Sequence, residues 1–459
     1  VPALLRLRPY AIAYAVALVA LAIVAGDRLR QQSSDPHFVY QAEAWLHGEV
    51  AIRAPLKGDD WAKLETVTLD DGRQVRGRRL MSRPAFRIAG GGEVATARIK
   101  SSQGQTAFMS FPPVPALVML PVALASGRAG NDVVPTVLLA ALVLPLALLC
   151  VRRLGAAGLA ERSWTDSWWL AVTLAFGTVF FFAAVGGKVW FTAHVVGVVL
   201  ALLYAWAATG AAHPVVAGLA LGLAALTRTP MAFMFPWFVL EAWRVAGGAA
   251  AWRADRAAVV RAVRGPLVRF AAPVVVLAVV AMIYNHARFA APTEFGHSYL
   301  EVRQQAQIEA HGLFSYQYLA RNLAVAFTLL PELPGRAPWI QVSGHGLAMW
   351  VTTPLLLLLL WPARRGPAHR ALWLTVAAVA LPTFFYQNSG WVQFGYRFSL
   401  DYLPFLVLLL AVGGRPLGRW ARALIVIGVV INLAGAWTFG RSGEYYRVGG
   451  RAYDTVVAH

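Results

Sequence analysis

Only one cysteine, Cys150, and four lysines (Lys57, Lys63, Lys100 and Lys188) occur in 459 residues. Cys150 lies inside an apolar stretch, so an intrachain disulfide is excluded and cysteine usage says nothing about redox compartment. Charged residues make up 14% of the chain, against about 25% in a soluble domain. With 58% hydrophobic residues and a mean hydropathy of +0.56, that scarcity excludes an ordinary soluble enzyme, a disordered chain and a fibrous one. Familiar chemical signatures are missing as well. No GxxxxGKS/T, HExxH or GxSxG motif and no Cys/His cluster occurs, which leaves ATP hydrolysis, zinc chemistry and serine hydrolysis without support. The adjacent acids Asp59/Asp60 and Asp70/Asp71 look like turn residues, so neither a metal nor a cofactor is expected. No internal repeat of fixed period is found.

What the chain has is apolar blocks of roughly 15 to 20 residues, the signature of bilayer-spanning helices. Eleven spans are expected, at 10–26, 133–151, 167–185, 189–208, 213–228, 231–246, 267–285, 346–362, 371–386, 399–412 and 421–438. The first follows Arg6 and Arg8 without an A-x-A cleavage site, which reads as a retained helix. The net charge of +19 is carried mostly by arginine, since only four of 41 basic residues are lysine. A GC-rich genome accounts for that bias, and the arginines lie in loops between spans, so nucleic acid is not implied as a partner.

Those loops set an orientation. Arg152, Arg153 and Arg162 fall in one; Arg244, Arg253, Arg256, Arg261, Arg264 and Arg269 in another; Arg364, Arg365 and Arg370 in a third; Arg415, Arg419 and Arg422 in a fourth. With these loops and the N-terminus inside, alternation holds through all eleven spans. The layout is then a first helix (1–26), a large outer loop (27–132), spans two to seven (133–285), a second outer loop (286–345), spans eight to eleven (346–438) and an outer tail (439–459). Residues 111–127, with Pro112, Pro113, Pro115 and Pro121, fit an interfacial or shallow re-entrant helix better than a twelfth span. Within the first loop, TVTLDDGRQV carries an Asp-Gly turn between alternating runs, a hairpin signal, and RIAGGGEVATARI is a weaker one. The expected fold class is an all-α polytopic membrane protein whose outer loop carries interfacial helices and a small β-rich insert.

Long loops on one face direct attention to polar residues at the outer ends of spans, where an ionisable group is costly and therefore a functional candidate. Asp35, in SSDPHFVYQAEAWLHGEV, reads structurally as an N-cap with Pro36 at the first position of a helix from His37 to His47. Phe38, Ala42, Trp45 and Leu46 would then share a face. Capping and catalysis are compatible at Asp35. In YNHARFAAPTEFGHSYL, Arg288, Glu294, His297 and Tyr299 are either an interfacial anchor or, through Arg288, a phosphate ligand. In GWVQFGYRFSLDYLPF, beside Tyr396, Arg397 and Asp401 are four apart. They form either a structural ion pair or an Asp401 that orients Arg397 toward an anion. Lys188 and His194 in VGGKVWFTAHVV and Arg228 in LTRTP complete the set. A snorkelling anchor and a packed core histidine are the plainer readings of the first two.

A first span, an outer loop opening on Asp35 and an amphipathic helix ending in WLHG resemble the GT-C membrane glycosyltransferases. SFPPVPALVMLP (Ser110 to Pro121) is similar to the PPL-type segment that closes the loop in protein O-mannosyltransferase-like and aminoarabinose-transferase-like members. YNHARFAAPTEFGHSY and GWVQFGYRFSLDYLPF look like segments of bacterial members. The resemblance implies a GT-C fold in a bacterial inner membrane. It also implies inverting transfer of a sugar from a polyprenyl-phosphate carrier to a glycan, lipid or protein acceptor on the outer, periplasmic or extracytoplasmic face. Asp35 matches the general base. Many members have two adjacent acids there, where this chain has Asp35-Pro36. A general base is typically worth about 10²–10⁴-fold. Arg288 and Arg397 would stabilise the departing lipid phosphate, a monophosphate that leaves already anionic and so needs no metal. Two rivals are a transporter or flippase of lipid-linked sugars, which would more often show paired repeats, and a non-catalytic subunit of envelope polysaccharide assembly.

Overall fold

A computed structural model describes residues 2–58, 60–300, 302 and 304–449. Asp59 and the end of the expected outer tail, 450–459, lie outside the described residues. Helices α1 (Pro2–Ala25) and α2 (His37–Leu46) precede five strands: β1 (Trp61–Leu69), β2 (Gln74–Arg79), β3 (Ala85–Ile88), β4 (Glu93–Ala95) and β5 (Ile99–Met109). There follow α3 (Val114–Ser126), α4 (Val133–Ala140), α5 (Val143–Ala156), α6 (Trp164–Phe176), α7 (Phe180–Ala184), α8 (Val189–Ala208), α9 (Pro214–Ala225), α10 (Pro236–Val245), α11 (Gly248–Ala254) and α12 (Arg256–Phe289). The chain ends in α13 (Gln305–His311), α14 (Leu319–Phe327), β6 (Val342–Ser343), α15 (Met349–Thr352), α16 (Pro367–Phe385), α17 (Leu403–Val412), α18 (Arg419–Thr438) and β7 (Tyr446–Arg447).

Among the described residues, six helical stretches are long and apolar enough to cross a membrane: Leu7–Arg30, Val133–Ala156, Val189–Ala211, Arg256–Phe289, Pro367–Phe385 and Arg419–Thr438. They coincide with six of the eleven expected spans, and the chain is a multi-pass membrane protein by this measure. The other five expected spans are helical but short or broken, so length and composition show six crossings and not the full eleven expected. Residues 167–185 divide at Gly177 into α6 and α7, and α9 has 12 residues. The spans at 231–246, 346–362 and 399–412 each include 3₁₀ turns, over Thr229–Met234, Pro354–Leu360 and Arg397–Asp401. Pro230, Pro236 and Pro354 account for two of these breaks, since proline lacks the amide that an α-helix interior needs. The lipid-facing sides of α12 and α18 stay apolar and uncovered, with Val276, Ile283 and Val430 each about 60% exposed or more.

The arginine-bearing loops meet one another at one end of the bundle. Arg162 donates to the carbonyls of Ala411 (3.0 Å) and Arg415 (2.7 Å), Arg364 pairs with Glu161 (2.8 Å) and Arg415 donates to Trp361 O (2.6 Å). Arg153 reaches Thr209 O (3.3 Å), and Glu241 takes the amide of Gly210 (2.7 Å). At the opposite end Arg28 donates to Phe439 O while Arg441 donates to the carbonyls of Val24 and Ala25, tying the outlets of α1 and α18 together.

The outer loop holds an antiparallel sheet of order β4-β3-β2-β1-β5. Its β1–β2 turn is the Asp70-Asp71-Gly72 hairpin expected from sequence, with Gly72 at φ +82°. The sheet is anchored at one corner, where Trp61 pairs with Met109 and Ser110 Oγ donates to Asp60 O (2.6 Å). Phe38, Val39, Ala42, Trp61, Met109, Ala116, Met119, Val189 and Ala193 form one apolar cluster there. It joins α2, α3, the sheet corner and the start of α8. Leu46 falls outside that cluster and is 43% exposed, against the expected face, because α2 stops at that residue. Gln41 and Trp45 instead donate to the Tyr284 hydroxyl on α12 (3.0 and 3.2 Å). Helix α3 has 13 residues, about 20 Å at 1.5 Å per residue, too short for a bilayer core of about 30 Å.

Candidate active site

A cavity of about 960 Å³ opens at the end of the bundle away from the arginine-bearing loops. Its wall is contributed by Asp35, Asp60 and Ser110–Pro112, by Lys188 and Trp190, by Thr227–Pro230, by Glu294, His297 and Gln304, by Phe314, by Tyr386, Asn388, Trp391 and Arg397, and by Phe439 and Tyr446. Every one of these segments is on the outer side of the expected alternation. Distant stretches are gathered because both outer loops, three shorter connections and the tail share that end.

Asp35 is held by its surroundings and does not cap α2. The cap position is Pro36, whose carbonyl takes the amides of Val39 and Tyr40, and no side chain caps the helix. This corrects the structural reading of Asp35, and it leaves the carboxylate to the cavity. Oδ2 accepts from Ser34 Oγ (2.6 Å) and lies 3.1 Å from Lys188 Nζ. Oδ1 has no hydrogen-bond partner among the described residues. The Asp35 backbone is fixed on both sides, its carbonyl taking Val189 N (3.0 Å) and its amide donating to Ser33 Oγ (3.2 Å).

Behind this turn stands Asp132, a residue that sequence reasoning missed. Its carboxylate accepts from Ser33 N (2.8 Å) and Ser33 Oγ (2.6 Å). Burial pushes its pKa up to about 6, the bonds from Ser33 oppose that, and the nearby Asp35 charge adds to it. The close approach depends on Gly187, at φ +69°. A Cβ there would sit 2.6 Å from the Val133 side chain and 2.9 Å from its Cα. Thr192 Oγ1 bonds both Gly187 O and Thr136 Oγ1 (2.8 Å each), locking the start of α8 to α4. The available signal for Asp132 was an ionisable residue immediately before an apolar block, the same signal that singled out Arg397.

Two arginines, Arg228 half-buried and Arg397 buried, line the cavity with different commitments. Arg228 is bidentate on Asp401 (3.0 and 2.9 Å), and His194 Nδ1 lies 3.3 Å from the same carboxylate. The expected Arg397–Asp401 pairing is therefore wrong. Residues Arg397–Asp401 are a 3₁₀ turn, and at about 3 residues per turn an i,i+4 pair points about 120° apart. Arg397 instead donates through one terminal nitrogen to Gly390 O and to Val392 O (3.0 Å), and its Nε has no partner among the described residues. Gln393 fixes its backbone, accepting Arg397 N (2.9 Å) while donating to His345 O and Ser389 O.

Arg288 does not line the cavity, which corrects its expected role as a phosphate ligand. It is fully buried, donates to Met109 O (2.6 Å) and Asn285 Oδ1 (2.7 Å), and stacks 4.2 Å from the Tyr284 ring. The outer end of α12 carries it under the sheet corner, so it clamps helix to sheet. Tyr396 is likewise in the core, its hydroxyl 3.4 Å from Thr383 Oγ1, and His37 stacks on Trp61 at 4.1 Å. Tyr299 packs face to face on Phe289. Glu294 and His297 do line the cavity. One Glu294 oxygen takes the amides of Gly296 (2.6 Å) and Ser298 (3.4 Å). Burial lowers the His297 imidazole below the ordinary histidine range, against the pull of Glu294. Among the described residues no group of three or more His, Cys, Asp or Glu side chains could hold a metal ion.

No family model and no curated protein matches the chain. Two solved structures are similar to it: the apo oligosaccharyltransferase of Archaeoglobus fulgidus, at 13% identity and a TM-score of 0.38, and the oligosaccharyltransferase AglB of the same organism in complex with an inhibitory peptide and a dolichol-phosphate, at 12% and 0.39. Each match covers 96% of this chain and 57% of the other, so the chain spans less than two thirds of the length of those proteins.

Proposed function

We propose that this protein is a membrane glycosyltransferase of the GT-C kind. It would move a sugar from a polyprenyl-phosphate donor to an acceptor hydroxyl on the outer face of a bacterial inner membrane. The observation that carries the reading is Asp35. Its carboxylate has one oxygen held by Ser34 and Lys188 and the other open, at the wall of a cavity that also holds Arg397. In the proposed step Oδ1 takes the acceptor proton, the acceptor oxygen bonds the anomeric carbon, and the bond from that carbon to the phosphate oxygen breaks. The electron pair leaves with the phosphate, and attack from the opposite face inverts the centre. Lys188 and the free edge of Arg397 supply positive charge where negative charge grows, the most effective place for it. Arg228 contributes less, because Asp401 already occupies its fork. The eleven-span topology belongs to the same proposal.

The test is turnover of purified protein in nanodiscs with a panel of polyprenyl-phosphate sugars, read as release of polyprenyl phosphate and as the anomeric coupling of the product by NMR. Consumption of one donor with an inverted product is expected. A product of retained configuration, or no consumption across the panel, contradicts the proposal. The buried Arg228–Asp401–His194 cluster is the one feature that favours a flippase of lipid-linked sugars; that activity would form no glycosidic bond.

A further inference from the structure

We propose that the cavity wall formed by Phe314, Tyr386, Trp391, Asn388 and Gln304 binds the acceptor, and that the acceptor is an uncharged glycan. The inference rests on the transferase reading and adds the substrate class to it. Two separate stretches build this wall. Gln387 N donates to Leu313 O and Ser315 N to Phe385 O, both at 2.9 Å. This zipper sets Phe314 opposite Tyr386 with ring centroids 5.6 Å apart. Phe314 is nevertheless 55% exposed. Large aromatic faces left uncovered beside a cavity offer flat apolar surface with a negative quadrupole, which suits the C–H faces of a pyranose.

The polar groups on the wall point the same way. Asn388 Oδ1 accepts from Gly390 N (2.8 Å) and Trp391 N (3.2 Å), so its amide donors remain for a ligand. Gln304 adds a donor and an acceptor on the opposite segment. These five residues carry no charge, and burial lowers the His297 imidazole beside them below the ordinary histidine range. Side-chain amides beside aromatic faces read hydroxyl groups. A peptide would require a free strand edge or a row of apolar pockets, and the edges here are used on each other at Phe314 and Tyr386. An acyl chain would require a wall without amides. At about 960 Å³ the cavity lies at the top of the usual range for ligand sites, with room for a saccharide beside the donor sugar.

The experiment is saturation-transfer-difference NMR on the full chain in nanodiscs, without donor, against neutral hexose oligosaccharides of two to four units and a matched panel of uncharged peptides. Saturation transfer to sugar C–H protons is expected for at least one oligosaccharide and for no peptide. Phe314→Ala and Phe314→Leu are each expected to weaken that binding on the order of tenfold; Phe314→Leu keeps the apolar bulk and so guards against a folding defect. Both variants are expected to keep the thermal midpoint of the unmodified protein. Peptide binding in place of sugar binding, no oligosaccharide binding, or unchanged affinity in Phe314→Leu overturns the inference. No consumption of any donor by the unmodified protein would instead count against the transferase reading.

Discussion

Asp35, Lys188 and Asp132 form a small charge system whose parts have separable effects. Ser33 holds the Asp35 turn through two bonds to Asp132, whose carboxyl is raised to about 6 by burial. As the pH falls through 6, Asp132 gains a proton, which relieves the cost of burying its charge and keeps the fold stable, but the neutral carboxyl accepts less well from Ser33, so the hold on the Asp35 turn weakens. Transfer is therefore expected to fall between pH 7 and pH 5. Asp132→Asn, neutral throughout, should work at a reduced rate that is nearly flat across that window. An acid limb near pH 6 that survives in Asp132→Asn would remove Asp132 from the account. Arg397→Lys keeps the charge but loses the planar guanidinium, one of whose terminal nitrogens is held by Gly390 and Val392 while the rest is left for the phosphate, and a lysine does not reproduce that geometry. A rise in donor KM of about tenfold or more is expected, with acceptor KM unchanged. Asp35, Lys188 and Arg397 could be singled out in sequence as ionisable residues near the outer ends of apolar blocks. Asp132 shares that property yet reads as a span boundary, and only the fold shows it behind Asp35.

At the scale of elements, two devices hold the site. The turn at Gly187 sets the start of α8 against Val133, and Gly187→Ala would force those segments apart by the missing space. Transfer should drop by about an order of magnitude while folded protein is retained, since the displacement is confined to the start of α8, where Lys188 meets Asp35. Arg288 instead joins α12 to the sheet corner. Arg288→Met is expected to lower the thermal midpoint, because Met109 O and Asn285 lose a buried charged donor, at about 3 kcal/mol or more. The turnover of the surviving folded protein should be close to normal. A lost donor affinity with unchanged stability would return Arg288 to the site. The hairpin at Asp70–Gly72 was legible because an Asp-Gly pair between alternating runs has one economical backbone solution. The 3₁₀ breaks at Thr229–Met234, Pro354–Leu360 and Arg397–Asp401 were not. A segment apolar on every side has no periodic phase from which a change of helical pitch can be read, and the Arg397–Asp401 misreading follows directly.

For the whole molecule, the cavity and the arginine-bearing loops occupy opposite ends, as the alternation of eleven crossings requires. The number of crossings has a sharp consequence for two exposed positions. Ser101 on β5 and Arg253 on α11 are separated by five expected spans but by only two of the six long helices. Eleven crossings place them on opposite sides; six place them on the same side. Ser101→Cys and Arg253→Cys, each made in a Cys150→Ala background, are expected to react with an impermeant maleimide from the outer and inner faces respectively. Labelling of both from one side would reduce the number of crossings and detach the cavity from the outer face.

The central claim is that the open oxygen of Asp35 takes the acceptor proton. The direct measurement is single-turnover transfer by purified Asp35→Asn in nanodiscs, with donor affinity measured in the same preparation. Asparagine keeps the shape and the bonding of Ser34 to one oxygen while removing the basicity. Transfer is expected to fall by about 10²–10⁴-fold with donor affinity within a few-fold of normal. Near-normal transfer, or a loss explained wholly by weaker donor binding, would contradict the account.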